Sequence, residues 1–95
     1  MSVYVVAQLR FTDEPAYRRY QSRFAGVFRG SGGRLLVADE APVVLEGAWA
    51  NDKLVIMEFE SAEAARSFLV STAYQSISED RRAGAETIAL LARGL

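Results

Sequence analysis

Glu58 stands near the end of an otherwise apolar run, Leu54-Val55-Ile56-Met57-Glu58-Phe59, shortly after Leu45-Glu46-Gly47-Ala48-Trp49 and directly before a helix start at Ser61. A carboxylate in an apolar cleft has its pKa raised toward neutrality, because burial disfavours the charged form; it can then act as a general base or anchor a ligand donor. The chain has no histidine, so Glu58 is among few groups able to take a proton near pH 7. The structural reading of the same residue is an ion pair or hydrogen bond, with Arg10 or with an arginine of a second subunit, since an unpaired charge there is costly. Tyr4 and Tyr74 offer phenolic donors, and Arg34, Arg81 or Arg82 can hold an anionic group through a bidentate fork. Each has a plainer role as well: Tyr74 as an anchor between helix and sheet, Arg81 and Arg82 on a solvated helix face. Trp49 is the sole tryptophan. Beside Gly47 in a turn, it reads as an interface residue, with the lining of a ligand cleft as its other role.

Other chemistries find no support in residue type. There is no cysteine, which removes disulfides, thiolate nucleophiles, Cys-ligated zinc and iron–sulfur clusters. Without histidine the commonest metal and haem ligand is missing too, and neither a metal nor a cofactor is expected. Asp39-Glu40 and Glu79-Asp80 are adjacent acids with no sign of convergence, and they read as solvated. Gly32-Gly33 lacks the Lys-Ser/Thr ending of a phosphate loop and follows a helix. Ser61 and Ser71 have no base to activate them and read as helix caps. A net charge of −1 with mixed signs gives no basic stripe for nucleic acid and no polybasic membrane patch. With no long apolar run, a cytoplasmic protein is the expectation.

These side chains need elements to position them, and the elements are legible from periodicity. At 95 residues, 51% hydrophobic and 24% charged, the chain reads as one domain over residues 1–95. Residues 3–11 alternate, with Val3, Val5, Ala7, Leu9 and Phe11 on one face and Tyr4, Val6, Gln8 and Arg10 on the other. Thr12, Asp13 and Pro15 open a helix whose apolar stripe is Tyr17, Tyr20, Phe24, Val27 and Phe28. Gly30-Ser31-Gly32-Gly33 ends it and returns the chain. Residues 34–38 form a second strand, and Val43-Val44-Leu45-Glu46 a short extended piece that can pair with the strand 53–60 as a hairpin. Ser61 caps a helix over 62–69, Ser71 or Thr72 restarts helix toward Arg82, Gly84 breaks it, and 87–92 is the last strand.

Strand, helix, strand, strand, helix, strand is the split βαβ order of a ferredoxin-like α+β fold, βαββαβ. Right-handed crossovers place the helices on one face of a four-stranded antiparallel sheet. The other face, carrying Tyr4, Val6, Leu36 and Ile56, stays open and must meet a second sheet or bind something apolar. A homodimer is the expected assembly, the more so because so short a chain gains stability from additional buried area.

In order and spacing, several runs resemble the family named domain of unknown function 1330. They are Tyr4-Val5-Val6, Tyr17-Arg18-Arg19-Tyr20, Gly32-Gly33-Arg34-Leu35-Leu36, Leu45-Glu46-Gly47-Ala48-Trp49, Leu54 to Phe59, and Ser71-Thr72-Ala73-Tyr74-Gln75 with Arg81 or Arg82 following. Thr72-Ala73 replace the Pro-Glu frequent in that family, and Ala50-Asn51-Asp52-Lys53 is less basic than its pattern. The resemblance implies a dimeric α/β barrel of ferredoxin-like halves and brings no settled activity. Related dimers of that fold support cofactor-independent oxygenation, isomerisation or dehydration of aromatic or polyketide-like compounds. The expected function is binding of a small organic molecule in a cleft beside the open face and the loops around Trp49 and Tyr74, with Glu58 as base and Tyr4 or Arg34 steadying an enolate if there is chemistry. The alternative is a non-catalytic structural or regulatory dimer whose open face is consumed by assembly.

Overall fold

The computed structural model describes residues 1–95 as β1 (Val3–Phe11), α1 (Glu14–Phe28), β2 (Arg34–Asp39), β3 (Lys53–Phe59), α2 (Ala62–Leu69), α3 (Thr72–Gly84) and β4 (Ala85–Arg93). The strands form one antiparallel sheet in the order β2-β3-β1-β4. This is the expected βαββαβ arrangement, with the second helical segment split in two at Val70-Ser71. The caps explain the helix starts: Asp13 accepts from the Ala16 amide at 3.4 Å, Ser61 from Ala64 at 3.0 Å and Ser71 from Tyr74 at 3.2 Å. No helix is long and apolar enough to cross a membrane.

Alternation along the strands decides the two sheet faces. Val3, Val5, Leu9, Met57 and Phe59 are buried beneath the helices, against Tyr17, Tyr20, Phe68 and Tyr74. Aromatic rings knit this layer, with centroids 5.0 Å apart for Phe24–Phe28, 5.3 Å for Phe28–Phe68 and 4.7 Å for Phe68–Tyr74. Tyr4, Val6, Ile56, Ile88 and Leu90 fall on the opposite face, where no helix covers them.

Gly84 closes the layer. Its carbonyl accepts from the amides of Thr12 and Asp13 at 2.9 and 3.1 Å, and a Cβ there would collide with the Tyr17 backbone nitrogen. Only a residue without a side chain lets the end of α3 sit against the start of α1.

Two expectations are corrected. Residues 43–46 form no strand: β2 itself pairs with one edge of β3 and β1 with the other, so β3 has no free edge for a third partner. The segment instead belongs to a long connection in which Val43 and Leu45 are 82% and 94% exposed. Leu36 is not a regular open-face residue either. The β2–β3 register slips between Leu35 and Val37, so Leu36 is the extra residue of a bulge and Val37 stands opposite Ile56.

Candidate functional site

Arg34, Glu58 and Tyr4 lie in one cross-strand row, because Glu58 is the register partner of Arg34 on one side and of Tyr4 on the other. Arg34 donates to Glu58 Oε1 from Nε at 3.0 Å and from Nη2 at 2.8 Å, and Tyr4 Oη donates to Oε2 at 3.2 Å. Arg10, the partner considered from sequence, pairs with Glu86 at 2.6 Å instead. The Arg34 guanidinium, then the Ser2 hydroxyl, hold the Glu58 pKa below the ordinary carboxylate value. That is the reverse of the shift expected for a carboxylate in an apolar cleft, and the cause is the paired arginine. The hollow beside it, lined by Ser2, Gly32, Arg34 and Glu58 with Glu60, is polar and shallow.

Trp49 and Tyr74 do not share a cleft. Trp49 Nε1 donates to Gln8 Oε1 at 2.8 Å, on the same sheet face as Tyr4 and Glu58. Tyr74 is buried on the opposite face, beneath the helices. Apart from Arg82, the sequence candidates therefore fall into three places: Tyr4, Arg34 and Glu58 together, Trp49 with Gln8, and Tyr74 with Arg81.

The last pair lines a cavity of about 240 Å³ between the sheet and the helices. Tyr17, Tyr20 and Phe24 recur at helical spacing on α1 and point down onto Leu9, Val55 and Met57. From α3 come Tyr74 and Arg81, seven residues and about two turns apart, hence on one helix face. Of the two roles open to Arg81, anion holder or solvated helix face, its geometry excludes the second: Nη1 donates to Thr87 Oγ1 at 3.2 Å, while Nε is buried with no hydrogen-bond partner. Arg82 is the solvated one.

Tyr20 Oη and Tyr74 Oη are 3.0 Å apart and buried. Two hydroxyls have two protons, and their mutual bond uses one, so one O–H remains to point at a third group. Burial, then the Tyr74 hydroxyl, pushes the Tyr20 pKa up, and burial pushes Tyr17 to about 12; both are neutral donors at pH 7. No carboxylate or imidazole lines the cavity. A guanidinium with an unused donor beside neutral phenols is suited to an oxyanion, whether carboxylate, phenolate or enolate, and is not suited to taking a proton.

Tyr17, Tyr20, Phe24 and Val55 also line a second hollow of about 200 Å³ that runs between α1 and β2 past Leu35 and Ala38. Lys53 closes one end of it. Although it begins β3, directly after a turn, Lys53 is only 4% exposed. The turn is tied to β1, with Asp52 donating its amide to Leu9 at 2.7 Å and its carboxylate accepting from the Phe11 amide at 2.8 Å. Sequence reading missed Lys53 because a lysine after Asn51-Asp52 looks like a turn cation; its inward alternation with Val55, Met57 and Phe59 was the available signal. The acidic pairs read as solvated are likewise engaged, Glu40 with Arg18 at 2.6 and 2.8 Å and Asp80 with Arg19 at 3.3 Å.

Known structures share this architecture. A protein of unknown function from Rhodopseudomonas palustris aligns with a TM-score of 0.82 at 18% identity, covering 99% of this chain and 82% of its own. The cofactor-independent oxygenase SnoaB from Streptomyces nogalater aligns at 0.73 and 17% identity, covering 99% and 93%. A dimeric ferredoxin-like protein of unknown function from Jannaschia aligns at 0.75 and 12% identity, covering 99% and 100%. At such identities the likeness is one of fold. No curated protein matches the chain. The family model described as domain of unknown function, DUF1330, matches residues 2–95, and the chain belongs to that family.

Proposed function

We propose that the protein binds a small, planar organic acid in the cavity between its sheet and its helices, with Arg81 and the Tyr20–Tyr74 hydroxyls holding the acidic group. The observation that carries this reading is the buried Arg81 Nε without a partner in a cavity walled by aromatic rings. A buried donor left unmade is costly, and a ligand oxygen would satisfy it. The cavity alone is small for a ligand, but with the adjoining hollow it reaches the few hundred Å³ typical of small-molecule sites. The test is a titration of aromatic carboxylates followed by amide and tyrosine-ring NMR. Shifts at Tyr17, Tyr20 and Tyr74 with none at Tyr4 support the reading; shifts confined to Tyr4, Arg34 and Glu58 would move the site to the open face.

In this reading Glu58 is a structural ion pair, and Tyr4, Arg34 and Trp49 organise the open face. We further propose that this face is covered by a second copy of the chain, giving a homodimer, as the Jannaschia neighbour is described as dimeric. Ile88 and Leu90 are 54% and 57% exposed there, beside half-buried Val6 and Ile56, and burying such a patch is favourable.

A catalytic reading is favoured by one feature of the cavity. Its donors would stabilise an enolate or phenolate but no resident group would create one, so a substrate would need to be acidic in its own right. The neighbouring fold of SnoaB, a cofactor-independent oxygenase, is consistent with that class of chemistry.

A further inference from the structure

We propose that Lys53 is a second anchor of the same site, so that the ligand class is narrowed to aromatic acids with another oxygen function at the opposite end. This rests on the cavity reading above and adds the second contact. The side chain of Lys53 is 5% exposed, and its ammonium lies 5.0 Å from the centroid of the Tyr17 ring. Its nearest carboxylate is Glu40 at 3.6 Å, longer than a hydrogen bond. Both oxygens of that carboxylate already accept from Arg18, at 2.6 and 2.8 Å. An ammonium has three donors, and here the ion pair with Glu40 engages one of them, which leaves two for another oxygen.

Gln21 stands on the same hollow with complementary chemistry. Its Oε1 accepts from Arg18 Nη1 at 2.7 Å, which leaves the amide NH₂ as the free end. Lys53 and Gln21 thus present donors to a hollow whose walls include Tyr17, Tyr20, Phe24 and Val55.

Strand register places Lys53 and Thr87, the residue that Arg81 bonds, at the two ends of one row. Lys53 pairs with Leu9, and Leu9 with Thr87, so the three form one row across β3, β1 and β4 on the helix-facing side. Thr87 is the residue that accepts from Arg81. Two strand spacings separate the ends of the row, about 9.5 Å between backbones. One or two fused aromatic rings with oxygens at opposite ends match that backbone span, and Tyr17 lines both hollows.

The experiment compares 2-naphthoate with naphthalene-2,6-dicarboxylate by calorimetry, on the wild-type protein and on Lys53→Met, with folding checked by thermal melting. The expected result is at least tenfold tighter binding of the diacid than of the monoacid to wild type, with that ratio falling to about one in Lys53→Met. Equal binding of the two acids to wild type overturns the second anchor and leaves Arg81 as the single one. If neither acid binds, both readings fail. Should Lys53→Met not fold, the side-chain ¹⁵N signal of Lys53 in the wild type decides: it moves with the diacid and not with the monoacid if the assignment holds, and a signal that stays still with the diacid overturns it.

Discussion

Tyr20 and Tyr74 share one buried hydrogen bond between the helices and the sheet, and each hydroxyl depends on the other. Tyr20→Phe should cost about 1 kcal/mol in urea denaturation, because it orphans the Tyr74 hydroxyl as well as removing a bond. The double variant with Tyr74→Phe should cost less than the sum of the singles, since no orphan then remains; strict additivity would contradict the pairing. Glu40 contributes through its charge. Hydrogen bonds from Arg18 hold its pKa at about 2, below the ordinary 4.5. A carboxyl whose folded pKa is depressed stabilises the fold above its unfolded pKa and loses that contribution as pH falls through the folded one. Its side chain is 37% exposed, so Glu40→Gln should cost only about 1 kcal/mol at pH 7, with the difference from wild type shrinking between pH 4.5 and 2. Glu58 follows the same sign, its pKa being lowered chiefly by Arg34. Glu58→Gln should reduce thermal stability slightly at pH 7, with the difference from wild type shrinking as pH falls below 4.5, and leave ligand affinity unchanged.

At the scale of elements, the end of α3 is the tightest joint. Gly84→Ala should destabilise by at least about 3 kcal/mol, as the new Cβ would meet backbone atoms of Asp13 and Tyr17 that cannot swing aside. A change within 1 kcal/mol would show that the joint relaxes. Position 84 was visible in the sequence as a glycine ending a helical pattern, but its packing role was not, because nothing local says that α1 passes there. The same division runs through the chain. Strand alternation and the Asp13, Ser61 and Ser71 caps act within a few residues, so the elements were legible. Whether Val43-Val44-Leu45-Glu46 pairs depends on which edges of β3 are already taken, and that is set by residues far away. Arg81 and Lys53 are charged side chains whose inward turn follows from tertiary packing, against the usual preference of their type for water. Sequence therefore marked Tyr74 and Arg81 as candidates without revealing that they share a chamber and that Glu58 stands outside it.

The whole molecule has two faces with separate tasks in this account: helices and sheet enclose the binding chamber, while the uncovered sheet face assembles. Leu90→Glu tests the second task. Leu90 is already 57% exposed in the single chain, so the fold should tolerate the change, whereas the dimer should weaken by at least about 30-fold in sedimentation equilibrium. An unaltered association constant would place the interface elsewhere. In the proposed chamber Arg81, and not Glu58, is the residue that holds the ligand. The direct measurement is a calorimetric titration of 2-naphthoate into wild type, Arg81→Gln and Glu58→Gln. Loss of a charge-assisted bond should weaken binding at least about tenfold in Arg81→Gln while Glu58→Gln matches wild type; binding that survives in Arg81→Gln and vanishes in Glu58→Gln would contradict the account.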